Sequence, residues 1–400
     1  MLLSRHRPGS RVHDVAVVGA GPAGGMAAWQ LARKGLSVVV IERRRAVGAP
    51  VQCGESLSEA ALSGNELSAR DEFVVRRVRG VRMLSPSGHH LEVHVAGYCI
   101  SREAFDRHLV ALAGGEGAEV RLSTDVRSAV RAPDGWRLAT SGGEVASRLL
   151  VLADGPASHL GASLGLGPPG RMAVAALYRF APSPPLMDDH LRFYCGARYT
   201  GGYAWCFDRG FELNVGVVST EDPKPLLDAF CTRVGLDIRE RRSMSRGIIP
   251  QGGCVERCSG PGVVMVGDAA GLTNPCSGGG VHAALFSARL AAGHVARAVE
   301  LGSDGPLLEL GSDSPLLDYQ RELRASPFAD PVLLEARGIM DDMSDRDWEA
   351  LIGLGEGQDM SKVTPARVLG RALARPRSLP TLLRIRRLLR ALRVYSRYGW

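Results

Sequence analysis

Val12-His-Asp-Val-Ala-Val-Val18 runs directly into Gly19-Ala-Gly21-Pro-Ala-Gly24, and Glu42 follows eighteen residues after the last of these glycines. The first segment has the apolar density of a short β-strand. Gly25 to Lys34 has the composition of a helix with Gly35 as its C-cap, and Leu36 to Ile41 is a second apolar strand. This is a βαβ unit. Its glycines have separate tasks: a tight turn, close approach of backbone to a pyrophosphate, and close packing of helix on strand, with the phosphate at the positive helix end. Glu42, at the tip of the second strand, is placed to accept hydrogen bonds from a pair of ribose hydroxyls. A glycine-rich loop alone says little; with the strand, the helix and the acid in place it specifies dinucleotide binding.

Around this unit the 400-residue chain is 45% hydrophobic and 23% charged, a globular composition that excludes disordered, collagenous and fibrous classes and leaves room for two or three packed units. No apolar run approaches the roughly 18 residues of a spanning helix, and Met1 to Asp14 lacks the apolar core of a secretory signal, so the expectation is a cytoplasmic protein. The eight cysteines are scattered and expected to be reduced thiols. Cys254 and Cys258, the one close pair, have no second pair and no neighbouring His, and no metal site is expected. The net charge of +7 is uneven: Met360 to Trp400 holds eleven Lys/Arg and no Asp/Glu, which leaves −4 for the first 359 residues.

Further strands are expected at Val78 to Met83, His90 to Val95, Glu119 to Val130 and Trp136 to Thr140, with a helix over Glu103 to Ala113 capped by Ser101. Leu149 to Ala153 reads as a buried strand closed by Asp154-Gly155. Residues 171–250 alternate apolar and polar positions with many aromatics, as in a β-rich unit. Gly262 to Gly267 gives another buried strand with Asp268 at its carboxyl end, followed by a helix from about Val281 to Val299. A nine-residue echo, Gly302 to Leu310 and Gly311 to Tyr319, places Ser-Asp before Pro in each copy, which reads as a helix start. Tyr203, Trp205 and Phe207 alternate as a strand would and are expected on one face.

The opening glycine motif with Glu42, the Ala153-Asp-Gly155 turn and Gly267-Asp-Ala-Ala-Gly271 together resemble the FAD-binding set of the para-hydroxybenzoate hydroxylase-like flavoproteins. Ala49-Pro-Val-Gln-Cys-Gly-Glu55, Gly202-Tyr-Ala-Trp-Cys-Phe207 and Leu272-Thr-Asn-Pro-Cys-Ser-Gly-Gly-Gly280 resemble, within them, the geranylgeranyl reductase family, over most of residues 12 to 330. The resemblance implies an α/β protein. A Rossmann-like FAD-binding domain (GR2-type) would take 12–170 plus 255–300, with 78–100 contributing to the substrate side. A β-rich substrate domain would take 171–254, and a helical region 301–400. It implies FAD held by Gly19, Gly21, Gly24, Glu42, Arg43, Arg102 and Val126. Asp268 would hold a ribityl or pyrophosphate oxygen, and the backbone amides of Gly278, Gly279 and Gly280 would line the flavin, where a helix start stabilises negative charge on reduction. Cys53 would lie beside the isoalloxazine ring, and Tyr203 and Trp205 would wall a polyprenyl site. The family commonly has proline after the motif's phenylalanine; this chain has Asp208.

The activity so implied is FAD-dependent saturation of C=C bonds in a geranylgeranyl or polyprenyl chain on a lipid, quinone or pigment, with NADPH or ferredoxin as electron donor. The alternative on the same scaffold is an FAD-dependent monooxygenase, a hydroxylase or epoxidase. A halogenase is disfavoured because no Trp-x-Trp-x-Ile-Pro run occurs, and no cysteine follows Cys276 to build the cluster of an electron-transfer flavoprotein–quinone oxidoreductase. Leu382 to Tyr395 sets Leu382, Ile385, Leu388, Leu389, Leu392 and Tyr395 at three- and four-residue spacing against an arc of arginines, a basic amphipathic helix. It reads either as a helix docked on the body or, through residues 378–400, as a peripheral contact with an anionic membrane; a nucleic-acid partner is not expected.

Overall fold

A computed structural model describes residues 12–168, 170–302 and 314–360. The basic helix expected at 378–400 and most of the first copy of the echo lie outside the described residues. The glycine motif follows the strand Val12–Val18, the centre of a parallel sheet. On one side lie Val38–Ile41 and Glu119–Arg121, and on the other Gly143–Leu152 and Val263–Met265, all parallel, with Ser259–Gly260 antiparallel at the edge. Near-continuous burial of the inner strands is what a parallel sheet covered on both faces demands.

The helix starts at Pro22, earlier than its composition suggests, because proline is pre-set for a first helical position and Gly21 serves as N-cap. It ends at Ala32, capped by Arg33, so Gly35, at φ +80°, lies beyond the cap. The stretch expected to be one strand from Glu119 to Val130 is two. The backbone N–H groups of Ser123 and Thr124 donate to the carbonyls of Arg44 and Glu42, and Ser123 takes a left-handed conformation. That corner sends Val126–Ala132 away to pair with Gly135–Thr140, which in turn pairs with the first half of Gly143–Leu152.

A second sheet of seven strands runs Ser243–Pro250, Met172–Phe180, Leu213–Ser219, Tyr203–Asp208, His190–Tyr194, Gly80–Leu84, His90–Val93. It is antiparallel except where His190–Tyr194 meets Gly80–Leu84. One face is covered by the helix Pro223–Arg233, whose Leu227 and Phe230 pack on Tyr178, Phe180 and Val215. The other face carries Leu177, Trp205, Phe207 and Val218. A three-stranded sheet, Ser56–Ser58, Gly97–Ile100 and Val74–Val78, completes the β structure. Ser101 caps the helix Arg102–Gly115, and Val281–Leu301 packs on Pro22–Ala32. In the second copy of the echo, Ser314 caps Pro315–Ala325 with proline at the helix start.

Asp14 fastens the central sheet. Its carboxylate accepts from the Ser37 amide (2.9 Å), the Ser37 hydroxyl (3.0 Å) and the Arg148 guanidinium (3.1 Å), tying three neighbouring segments. Burial alone raises this carboxyl, but the Ser37 and Arg148 donors outweigh it and hold the group below its ordinary value. A depressed carboxyl contributes stability above the unfolded pKa, near 3.9, and loses it as pH falls through the folded value. The difference in unfolding free energy between wild type and Asp14→Asn is therefore expected to be constant above about pH 5 and to shrink below about pH 4. Urea titrations across that range check this, and a difference that grows on acidification contradicts it.

Candidate active site

Of the helices of eight or more residues that begin among the described residues, three start without a side-chain cap: Pro22–Ala32 after Gly21, Val281–Leu301 after Gly280, and Val332–Asp341. The first two face a single cavity. Gly21, Pro22 and Ala23 line one part of it, and Gly279, Gly280 and Val281 another. Uncapped first turns present unsatisfied N–H groups and a positive dipole end, so this cavity attracts anionic or electron-rich groups from two directions. A Cβ on Gly21 would meet no atom within 4 Å, which leaves a cradle for a phosphate. Gly24 differs: its Cβ would lie 1.9 Å from the Gly19 carbonyl oxygen, so this glycine permits helix and strand to touch.

The residues named from sequence divide into two groups. Gly21, Cys53, Arg102, Tyr203, Trp205, Asp268, Gly278, Gly279 and Gly280 line the cavity of about 250 Å³; Gly19, Gly24, Glu42, Arg43 and Val126 do not. Glu42 accepts the Ala20 and Arg44 amides, both at 2.8 Å, at the strand tip. Arg43 is exposed, and its charge partly offsets the upward push of burial on the Asp154 carboxyl. Val126 is buried at the start of its strand. The amides of Gly278 and Gly279 donate to the Asn274 carbonyl (2.9 Å) and the Ser277 hydroxyl (3.1 Å). Both of these amides thus have partners within their own loop.

Asp268 sits under Gly280 and accepts the Thr273 hydroxyl at 2.8 Å. Burial pushes its carboxyl up, opposed by Thr273 and Arg102. Arg102 makes a two-point pair with Asp106, both contacts at 3.1 Å. Burial lowers the guanidinium's pKa, but Asp106 and the Cys53 sulfur outweigh it and raise the group above its usual value. Cys53 accepts the Glu55 amide at 3.3 Å.

Across the cavity stand four rings. Tyr203, Trp205 and Phe207 lie on one strand face, and Phe193 contacts Tyr203 and Phe207 at centroid separations of 5.0 and 5.2 Å. The Tyr203 hydroxyl donates to the Ser277 carbonyl, and burial pushes the phenol's pKa above its usual value, so its proton is committed. The indole N–H of Trp205 donates to Asn214 Oδ1 at 3.0 Å. The Asn214 amide in turn donates to the Cys53 and Gly54 carbonyls at 3.1 and 2.9 Å. Gly216 leaves space for the indole, which a Cβ there would approach to 2.2 Å. Asn214, Phe193 and Glu55 were not singled out from sequence. Phe193 could have been found from strand alternation; Asn214 carries no local signal.

The family model for lycopene cyclase proteins matches residues 14–325. Digeranylgeranylglycerophospholipid reductase 1 of Methanopyrus kandleri is 35% identical over 311 residues, 72% of this chain and 81% of that one. The crystal structure of a geranylgeranyl bacteriochlorophyll reductase-like protein from Thermoplasma acidophilum superposes with a TM-score of 0.82 at 26% identity, covering 94% of this chain and 99% of that one. The flavin-dependent halogenase CmlS shares the fold, with a TM-score of 0.66 at 19% identity over 93% of this chain and 78% of its own.

Asn214 joins the indole to the cysteine loop. Asn214→Leu would leave a buried indole N–H and two carbonyls without this partner, at about 1–3 kcal/mol for each group left unsatisfied. The expected outcome is a lower midpoint in urea and a red-shifted, broadened Trp emission as water reaches the wall; unchanged emission would remove the positioning role.

Proposed function

The chain belongs to the geranylgeranyl reductase family, and we propose that it is an FAD-dependent oxidoreductase that saturates C=C bonds of a polyprenyl chain carried on a lipid, a quinone or a pigment. The observation that carries this reading is the cavity lined by two uncapped helix starts and by four aromatic rings, with Cys53 also in its lining.

The residues present fit FAD. The Gly21 cradle and the helix start behind it suit a pyrophosphate, Glu42 at its strand tip suits the ribose hydroxyls, and the helix start at Gly280 suits the electron-rich end of a reduced isoalloxazine. When bound and reduced, this cofactor supplies hydride. An isolated prenyl double bond has no carbonyl to take up electron density, so positive character develops on its tertiary carbon as hydride and proton are added. Faces of Tyr203, Trp205, Phe207 and Phe193 stabilise that charge, by about 0.5–2 kcal/mol for each desolvated ring. The same rings exclude water. Arg102, fixed by Asp106, and Asp268, fixed by Thr273, keep charged groups on the cofactor side and away from the isoprenoid side.

NADPH and ferredoxin both suit as electron donor. No helix of the described residues is long and apolar enough to cross a membrane, and a peripheral contact through 378–400 remains part of the proposal for a lipid-borne substrate.

Anaerobic incubation of the dithionite-reduced protein with a geranylgeranylated phospholipid or with menaquinone, followed by mass spectrometry, tests the reading. Products heavier in steps of two hydrogens are expected. No mass change anaerobically, with gain of one oxygen under air and NADPH, would assign the monooxygenase reaction instead. Trp205→Ala is expected to slow turnover by roughly 2- to 30-fold at unchanged flavin content. Gly21→Val, whose added Cβ meets no protein atom within 4 Å, is expected to lose flavin absorbance while the far-ultraviolet circular dichroism stays that of wild type.

A further inference from the structure

On the edge of the seven-stranded sheet away from Ser243–Pro250, two rungs of the ladder bring five polar side chains together. Glu92 pairs with Arg82, and Arg82 with Arg192, while Gly80 pairs with His190 on the next rung. Gly80 has no side chain to fill that rung, and His94, which follows the strand His90–Val93, lies on its other side. The two imidazoles meet across it with ring centroids 5.5 Å apart.

The atoms of this cluster are turned in a specific way. His94 presents Nδ1 to Asp359 at 3.2 Å and Nε2 to Glu92 Oε2 at 3.2 Å. His190 presents Nδ1 to Asp189 at 2.7 Å, and its Nε2 lies 3.9 Å from the same Glu92 oxygen. His190 is 4% exposed, and both of its ring nitrogens are buried without a hydrogen-bond partner. Arg82 donates twice to Glu92 Oε1, at 3.0 and 2.6 Å, which leaves Oε2 for the histidines. Each imidazole thus has one nitrogen within ion-pair distance of a carboxylate and the other turned to a shared point; on ring rotation those outer carboxylates would be the partners that fix the tautomer of a metal-ligating histidine.

We propose that Glu92, His94 and His190 bind one divalent transition-metal ion, zinc by the chemistry of the donors, with water in the remaining position. Two imidazole nitrogens and a carboxylate oxygen are a zinc donor set, and bonds of about 2.0–2.2 Å place tetrahedral ligand atoms about 3.3 Å apart. The three ligand atoms here lie within 4.8 Å of one another, two of the separations being 3.2 and 3.9 Å. Small rotations close the set. Four carboxylates, Glu92, Asp188, Asp189 and Asp359, stand against three guanidiniums, Arg79, Arg82 and Arg192, so the surroundings are net negative and suit a cation. The ion would clamp the strand His90–Val93 to His190 and, through His94 and Asp359, to the segment after the helix Asp345–Gly355.

The test uses full-length, tag-free protein stripped with EDTA and titrated with zinc chloride against a chromophoric chelator, with metal content read by mass spectrometry after desalting. One equivalent per chain is expected in wild type and in the Cys254→Ser/Cys258→Ser double variant. His94→Ala, at a partly exposed position, is expected to weaken binding by at least 10-fold, and Asp189→Asn, which removes the charge facing His190 and the exposed ion pair with Arg79, by about 10-fold. Circular dichroism establishes that each variant is folded, and Asp189→Asn decides the matter should His94→Ala not fold. Absence of a bound equivalent, wild-type affinity in both His94→Ala and Asp189→Asn, or loss of zinc with the cysteines overturns the proposal.

Discussion

A buried carboxylate organises the boundary between the two large sheets. Glu55 is 3% exposed, and a charge taken that far from water persists only with partners of opposite sign. It has two, the Arg179 guanidinium from the strand Met172–Phe180 and the Arg209 guanidinium from the turn after Tyr203–Asp208, and it also accepts the Arg102 amide, at 3.0 Å, at the start of the helix Arg102–Gly115. Glu212 takes up the remaining reach of Arg179 at 2.8 Å. Removing any one member leaves a buried charge uncompensated, so the loop that carries Cys53 is pinned where it stands. The cavity owes its shape to that pin, because Cys53, Gly54 and the Arg102 helix all hang from Glu55.

The pinned loop separates two kinds of surface. Backbone donors and Asp268 occupy one side, and aromatic faces the other. The sides are stitched at Tyr203, whose hydroxyl donates to the Ser277 carbonyl beside Gly278, and at Asn214, which ties Trp205 to the Cys53 loop. Each stitch satisfies a polar group that burial would otherwise penalise. The rings therefore present apolar faces to the cavity while their polar atoms are bonded behind, which is how a wall built from Tyr and Trp stays dry.

The βαβ unit was legible because its signals are local: a strand, three glycines, a helix and an acid within thirty-one residues. The aromatic wall was legible because a strand's period of two is visible in Tyr203, Trp205 and Phe207. Features that depend on chain segments far apart were not. Asn214 meets Cys53 across 161 residues, Arg179 meets Glu55 across 124, and no spacing rule connects them. The corner at Ser123 was missed for a related reason: the carbonyls of Glu42 and Arg44 that bend the chain there belong to another strand's end. His94 and His190 stand far apart in the chain with no ligand spacing between them, and only sheet register brings these two together.

The resemblance to the reductase family implies proline at position 208, and the Asp208 found there would then bear on the aromatic wall that precedes it. Its position in the fold argues otherwise. Alternation along Tyr203–Asp208 turns it away from the face that holds Tyr203, Trp205 and Phe207. Its carboxylate pairs with Arg76 and accepts the Asp188 amide at 3.0 Å and the Gly210 amide at 2.8 Å, closing the hairpin that leads into Leu213–Ser219. Proline and aspartate are two ways of ending a strand, one by removing a donor and the other by capturing donors from the turn. Asp208 thus anchors the hairpin and lies off the face that carries the aromatic wall.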